Sequence, residues 1–289
     1  QPAEVVVLSA FTLENVRNLL LSTSDAHPEG IGNDRGMVGR NYTYQMETEV
    51  AQGLWEDRRF HFFTGNGSTN KAIFDFNGDN FDHSDLDFIG GAEISAEGGQ
   101  RDPITSIPTM FDNFADRAWG AEWKELIRRH WDGTAGIGIQ GESPAYEFNF
   151  LDLDPRYRDA FGRPLLRLTF DWTDNERRMY RLLAARCAEI MAAMNPDRMH
   201  VTEELDDFRI DDYQSTHPTG GAIMGTDPGS SVTNSYGQVW DTPNVFVTGA
   251  SLFPQNAGAN PSGTAAAVAY RTAEALRERY FNAPGELLA

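Results

Sequence analysis

Basic residues are scarce in this 289-residue chain: 24 Lys and Arg stand against 43 Asp and Glu, a formal net charge of −19. Phosphate backbones are bound through a basic footprint, so nucleic acid is an unsuitable partner. Cysteine is almost absent. Cys187 stands alone, which rules out an internal disulfide and, on the apolar face of an expected helix, reads as a buried inert thiol. No apolar run approaches the ~20 residues of a membrane span, and no signal peptide opens the sequence. The six histidines lie too far apart for a local two-histidine metal motif, and H-E-x-x-H does not occur. A G-x-S-x-G nucleophile elbow is missing too, so a hydrolase of that type lacks its main part. Metal ligands are therefore expected to be none.

Hydrophobic residues make up 40% of the chain and aromatics 11%, enough for a folded core over about two domains. "EVVVLS" at 4–9 reads as a buried parallel strand beginning almost at the first residue, as though the chain enters a domain partway and sequence precedes it. "TLENVRNLLLS" follows with Leu13, Val16, Leu19 and Leu20 on one helical stripe. The long middle, to about residue 205, mixes aromatic stretches such as "RRFHFF" with glycine loops and one strong β segment, "LLRLTFDW". An antiparallel sheet with covering helices is expected there. The clearest helix spans 174–194, where Thr173 and Glu176 form a T-x-x-E capping box before the stripe Met179, Leu182, Leu183, Cys187, Ile190, Met191 and Met194. Asn195-Pro196 ends it.

Glycine spacing offers a false lead. Gly136, Gly138 and Gly141 in "AGIGIQGE" match G-x-G-x-x-G, yet neither a buried strand before nor a helix after is indicated, and an extended segment away from any pyrophosphate is the better reading. "DFNGDNFDHSDLD" from Asp75 alternates acidic groups like a calcium loop, but its glycine comes early and Leu86 replaces the closing glutamate, leaving a solvated acidic loop.

"QSTHPTGGAIMG" is more specific. His217 sits beside Pro218 and before Gly220, Gly221 and Gly225, with little apolar content to bury it. Two readings stay open: an exposed loop histidine, or a proton acceptor working near neutral pH. Its companion is "GANPSGTAAA", where Asn260 as N-cap and Pro261 at the first helical position open a helix of small residues. Free backbone N–H groups and the positive dipole end would suit an anion or an electron-rich ring edge.

The H-x-x-G-G-x-x-M-G run from His217, then about forty residues on "NVFVTGASLFP" leading to "GANPSGTAAAVAYRTAEAL", resembles the C-terminal signature of the glucose–methanol–choline (GMC) flavin oxidoreductases. "VVVLSAFTLENVRNLLLS" with "GMVGRNYTY" is similar to that family's middle section, and the wording is nearest the gluconate, sugar and polyol dehydrogenases. The resemblance implies an α+β fold: an antiparallel-sheet substrate domain with helices (46–205), flanked by partial βα pieces of an FAD-binding domain (1–45 and 206–289). It implies FAD-dependent oxidation of an alcohol, sugar or sugar acid, with His217 accepting the hydroxyl proton, hydride passing to flavin N5, and Asn260 hydrogen-bonding the substrate oxygen. FAD would meet Ala10 near its adenine half, Gly249 and Ala250 at a backbone turn, and Pro261 and Ser262 at the helix start. It further implies partners: an N-terminal FAD-binding half carrying the true G-x-G-x-x-G, cytochrome c and a small subunit, in a periplasmic or membrane-associated setting. The alternative is a non-catalytic binding module or subunit that keeps the fold without cofactor.

Overall fold

The computed structural model describes residues 2–60, 71–97, 110–210, 213 and 216–287. The end of "RRFHFF", from His61 on, lies outside them. In chain order the first elements are β1 (Val6–Leu8), α1 (Thr12–Leu21), β2 (Thr43–Tyr44), β3 (Met46–Leu54), β4 (Lys71–Ile73) and β5 (Ala92–Glu97). Then come α2 (Ala121–His130), β6 (Thr134–Gly141), β7 (Phe150–Arg158), β8 (Pro164–Thr169) and α3 (Asp174–Ala193). β9 (Arg198–Val201), β10 (Pro218–Thr219), β11 (Val245–Val247) and α4 (Ser262–Ala275) complete the order. Two compact units result: one gathers 1–45, 143–171 and 207–289, the other 46–142 and 172–206.

The second unit is a five-stranded sheet in the order β4-β5-β6-β3-β9, every neighbouring pair antiparallel. "AGIGIQGE" is its central strand, β6, paired on one side with β3 and on the other with β5. Alternation puts Ile137 and Ile139 into the core at 1% exposure each. The glycines serve the sheet: β3 slips register between Glu49 and Ala51, and a Cβ on Gly138 would come within 2.8 Å of the Thr48 carbonyl.

Helix α3 covers this sheet. Its start follows the expected capping box, with the Thr173 hydroxyl accepting from Asn175 N at 3.2 Å and the Glu176 carboxylate accepting from Thr173 N at 2.8 Å. Its end follows from Asn195, whose left-handed backbone (φ 54°) stops the helix before Pro196. Met179, Leu183, Cys187 and Met191 are buried against Met46, Val50, Ile94, Ile137 and Ile139, while Leu182, Ile190 and Met194 are only partly buried at the stripe's edge. A smaller cluster of Leu54, Met110, Phe111 and Phe114 packs with residues of α2.

The first unit differs from expectation in two respects. β1 pairs in parallel with β11 (Val6↔Val245 to Leu8↔Val247), as read, but Val6 and Val7 are 38% and 45% exposed. β11 is its one strand neighbour among the described residues, so its outward side chains lack cover, whereas β11 itself is buried throughout. Second, "LLRLTFDW" does not join the large sheet. It forms β8 of a two-stranded hairpin with β7, and Ser143–Asp171 groups with the terminal segments, so the stretch 46–205 is interrupted. Beneath β11, Phe246 packs against Ala275, Leu276, Tyr280 and Leu287 at the far end of α4.

Cys187 is fully buried among these apolar side chains of the second unit, and burial pushes its thiol up to about 12. The thiolate is the reactive form, so a disulfide reagent at neutral pH is expected to leave the native protein unlabelled and to titrate one thiol after denaturation. Stoichiometric labelling without denaturant would contradict this burial.

Candidate active site

The carboxyl ends of β1 and β11 lie side by side, and the chain leaves them through Ala10 and through Gly249–Ala250. A buried side chain joins these exits. Asn15, on the inner face of α1, accepts from Ala10 N at 2.8 Å and donates to Thr248 O at 3.1 Å and Ser251 Oγ at 3.0 Å. Both turns are unusual in their backbones: Phe11, next after Ala10, has φ 93° and Gly249 has φ 86° with open space where a Cβ would project. Ala10, Gly249 and Ala250 are thus brought together at the end of a parallel strand pair, where α/β sheets commonly bind ligands.

His217 heads the short strand β10, which pairs with β2 in antiparallel register, Pro218 opposite Tyr44 and Thr219 opposite Thr43. The Thr43 and Thr219 hydroxyls meet at 2.5 Å across that pair, and the Thr12 hydroxyl donates to Pro218 O at 2.9 Å. Beyond it, Gly220, Ala222 and Met224 donate in turn to Ala250, Ser251 and Leu252 carbonyls at 3.0, 3.1 and 2.9 Å. The segment after the histidine therefore runs between residues 41–45 on one side and 250–252 on the other. Only glycine permits this: Gly220 has φ 77° and its Cβ would stand 2.1 Å from Asn41 O, while that of Gly221, φ 79°, would strike Val16 at 2.7 Å. The G-G of the H-x-x-G-G run has this steric cause.

His217 is half-buried and carries φ 63°, a left-handed conformation that costs a non-glycine residue about 1–2 kcal/mol. Two donors hold its carbonyl: Gln45 N at 3.4 Å and Asn256 Nδ2 at 2.8 Å. The Gln45 side chain turns the other way, donating to Ala257 O at 2.5 Å and Ala259 O at 3.0 Å, the residues that lead into Asn260. Asn256 is itself pinned by a two-way backbone bridge with Ser143, at 3.0 Å in each direction. His217 and the segment entering Asn260 are thus tethered to the same residue, Gln45. Asn260 is exposed, and the helix opens one residue later than expected, with Pro261 as N-cap, φ −82°, and no side-chain cap. Pro261 is half-buried, and Ser262, Gly263 and Thr264 of the first turn of α4 are exposed.

Gln45 and Asn256, at 0% and 1% exposure, carried no motif in the sequence. Asn256 sits in the same glycine-rich run as Asn260, and Gln45 is a polar residue directly after the aromatic "NYTY", the two signals the sequence offered. Elsewhere, two carboxylates of the calcium-like stretch are engaged by their neighbours: Asp82 accepts from Ser84 N and Oγ at 3.0 and 2.7 Å, which holds its carboxyl below the usual range, and Asp87 pairs with Arg178 at 2.9 Å. One group among the described residues, His27, Asp34 and Asp241, brings three ligand atoms within 4.8 Å of one another. His27 pairs with Asp34 at 3.4 Å and Asp241 accepts from Gly32 N at 3.1 Å, so the loop uses both acids itself.

Gly220→Ala is expected to destabilise the protein by at least about 1–2 kcal/mol from left-handed strain, with the clash at Asn41 O adding to it. A denaturant midpoint equal to that of the unsubstituted protein would show that β10 does not need this close approach.

Residues 144–269 match the family model described as GMC oxidoreductase, a span that contains His217, Gly249, Asn256 and Asn260. Along its full length the chain is 40% identical to gluconate 2-dehydrogenase flavoprotein from Pantoea cypripedii, over 46% of that protein. Over 96% of its length it is 25% identical to 2-methyl-1,2-propanediol dehydrogenase from Mycolicibacterium austroafricanum, covering 48% of it. The chain thus spans about half the length of the curated relatives it matches. Pyridoxine 4-oxidase from "Mesorbium loti" is similar in fold, with a TM-score of 0.53 at 14% identity over 96% of this chain and 51% of that one. Among the described residues no helix is long and apolar enough to cross a membrane. Over residues 144–269 the chain is thus similar to the GMC oxidoreductases.

Proposed function

We propose that this chain forms part of an FAD-dependent dehydrogenase acting on an alcohol, sugar or sugar acid, with His217 as proton acceptor. The observation that carries the reading is the tether at Gln45, which holds the His217 backbone and the segment entering Asn260 together. Support for a flavin comes from the same unit. Gly249 leaves open space at its Cβ position, and α4 opens without a side-chain cap on an exposed turn whose backbone donors and dipole suit an electron-rich ring edge. Those features fit the group.

In this reading Ala10, Gly249, Ala250, Pro261 and Ser262 hold the cofactor, and residues 1–45 with 206–289 are pieces of its domain. When bound, FAD supplies the two-electron acceptor for the hydride leaving the alcohol carbon. The chain's own residues handle the rest. His217 takes the proton of the substrate hydroxyl as the C–H bond breaks, so the alcohol becomes a carbonyl, and Asn260 donates to the substrate oxygen to fix its orientation. The half-buried position of His217 keeps one side of the ring from water. Names among the relatives, a dehydrogenase flavoprotein and a diol dehydrogenase, favour a sugar acid or polyol as the CH–OH donor. As partners we propose an N-terminal FAD-binding half, cytochrome c and a small subunit, at the periplasmic face or membrane surface.

In the flavin-loaded full-length enzyme, His217→Ala is expected to slow flavin reduction by about 100-fold or more, within the usual worth of a general base. Stopped-flow absorbance at the flavin bands measures it, and reduction at the unsubstituted rate would remove His217 from this role. A purified full-length protein without flavin absorbance would instead favour the cofactor-free module.

A further inference from the structure

We infer that Gln45 and Asn256 are positioning residues for the proton acceptor: together they set the backbone conformation of His217 and its relation to Asn260. The inference rests on the functional reading of His217 above, and goes beyond it by naming what aims the histidine.

Four observations support it. The left-handed φ of 63° is unfavourable for histidine and persists only where surrounding contacts over-determine it. Both donors to the His217 carbonyl come from these two residues, one a backbone N–H and one a side-chain amide. Each amide is oriented without ambiguity, since its NH2 faces backbone carbonyls: that of Gln45 faces Ala257 and Ala259, that of Asn256 faces His217. Finally, Gln45 Oε1 and Asn256 Oδ1 are buried and have no hydrogen-bond partner among the described residues. Here the donor ends are used on the segments carrying His217 and Asn260, and the acceptor ends are left open.

A rigid clamp of this kind has a kinetic consequence. Displacing a reacting group by about 1 Å can lower a rate on the order of a hundredfold, without a matching loss of ligand affinity. Gln45→Met removes the side-chain donor at similar length and keeps the backbone donor. Asn256→Leu removes the other.

Both variants are made in the flavin-loaded full-length enzyme. Three quantities are read: the limiting rate of flavin reduction, the substrate concentration giving half that rate, and the His217 ring resonance in histidine-labelled protein, assigned through His217→Gln. The expected result is a rate lowered about 10- to 100-fold, a half-saturating concentration and flavin content close to those of the unsubstituted enzyme, and a displaced His217 resonance with a shifted pH titration. An unmoved resonance overturns the inference, as does an unchanged rate or a rate loss that merely tracks lost flavin. If Asn256→Leu does not fold, Gln45→Met carries the test alone, and if neither folds the two amides are structural and the inference is overturned. Failure of the underlying reading looks different: His217→Ala would then reduce flavin at the unsubstituted rate, whatever the amide variants do.

Discussion

Close backbone approach is the constraint on which the first unit depends. The segment from Pro218 to Met224 has to lie between residues 41–45 and residues 250–252, bonded to both, and two consecutive glycines with positive φ make room for it. Everything polar near His217 follows from that passage. Because Gly220 reaches the Ala250 carbonyl, the turn after β11 is brought beside the histidine strand, and because Pro218 lies against Tyr44, the residue that follows β2, Gln45, arrives at the His217 carbonyl. A side chain at Gly220 would meet Asn41 O and push these segments apart.

Buried amides then do what a sheet of this size cannot. β2 and β10 are two residues each, too short to hold a strained residue through ladder hydrogen bonds. Asn15, Gln45 and Asn256 replace ladder contacts with side-chain bonds to backbone, the first two reaching across 233 and 214 residues of sequence and the third across 39. Asn15 itself ties both exit turns, after β1 and after β11, to α1, so the same helix that supplies Val16 to the core also fixes the positions of Ala10 and Thr248.

Much of this was legible in the sequence, and the reasons for what was not are physical. Period and capping are local properties, so α3 with Thr173 and Glu176 could be read to within a residue, as could the parallel character of β1 and the extended state of "AGIGIQGE". Burial of Val6 and Val7 was misread because an apolar triplet reports the tendency to be covered and not the presence of a cover. "LLRLTFDW" was rightly read as strand but joined to the wrong unit, since hairpin partnership with β7 depends on the turn at Asp159–Gly162 and not on the strand's own residues. His217 and Asn260 announced themselves through glycine and proline punctuation. Gln45 and Asn256 did not, because a buried amide has no periodicity and its partners are backbone carbonyls, which every residue possesses.

That asymmetry bears on how such a site is built. His217 and Asn260 sit in turns whose backbone needs glycine, proline or asparagine, and those requirements mark the sequence. Gln45 and Asn256, which bond to the backbones of those turns, lie outside the named strands and owe their identity to a distance rather than to a conformation. Gln45 illustrates the difference: it falls between β2 and β3, and only the length of its side chain lets one amide reach both Ala257 and Ala259 while its own N–H stays on His217. Asparagine at 45 would fall a methylene short, and glutamate would offer no donor to either carbonyl when ionised. The choice of glutamine is therefore set by the span between two loops.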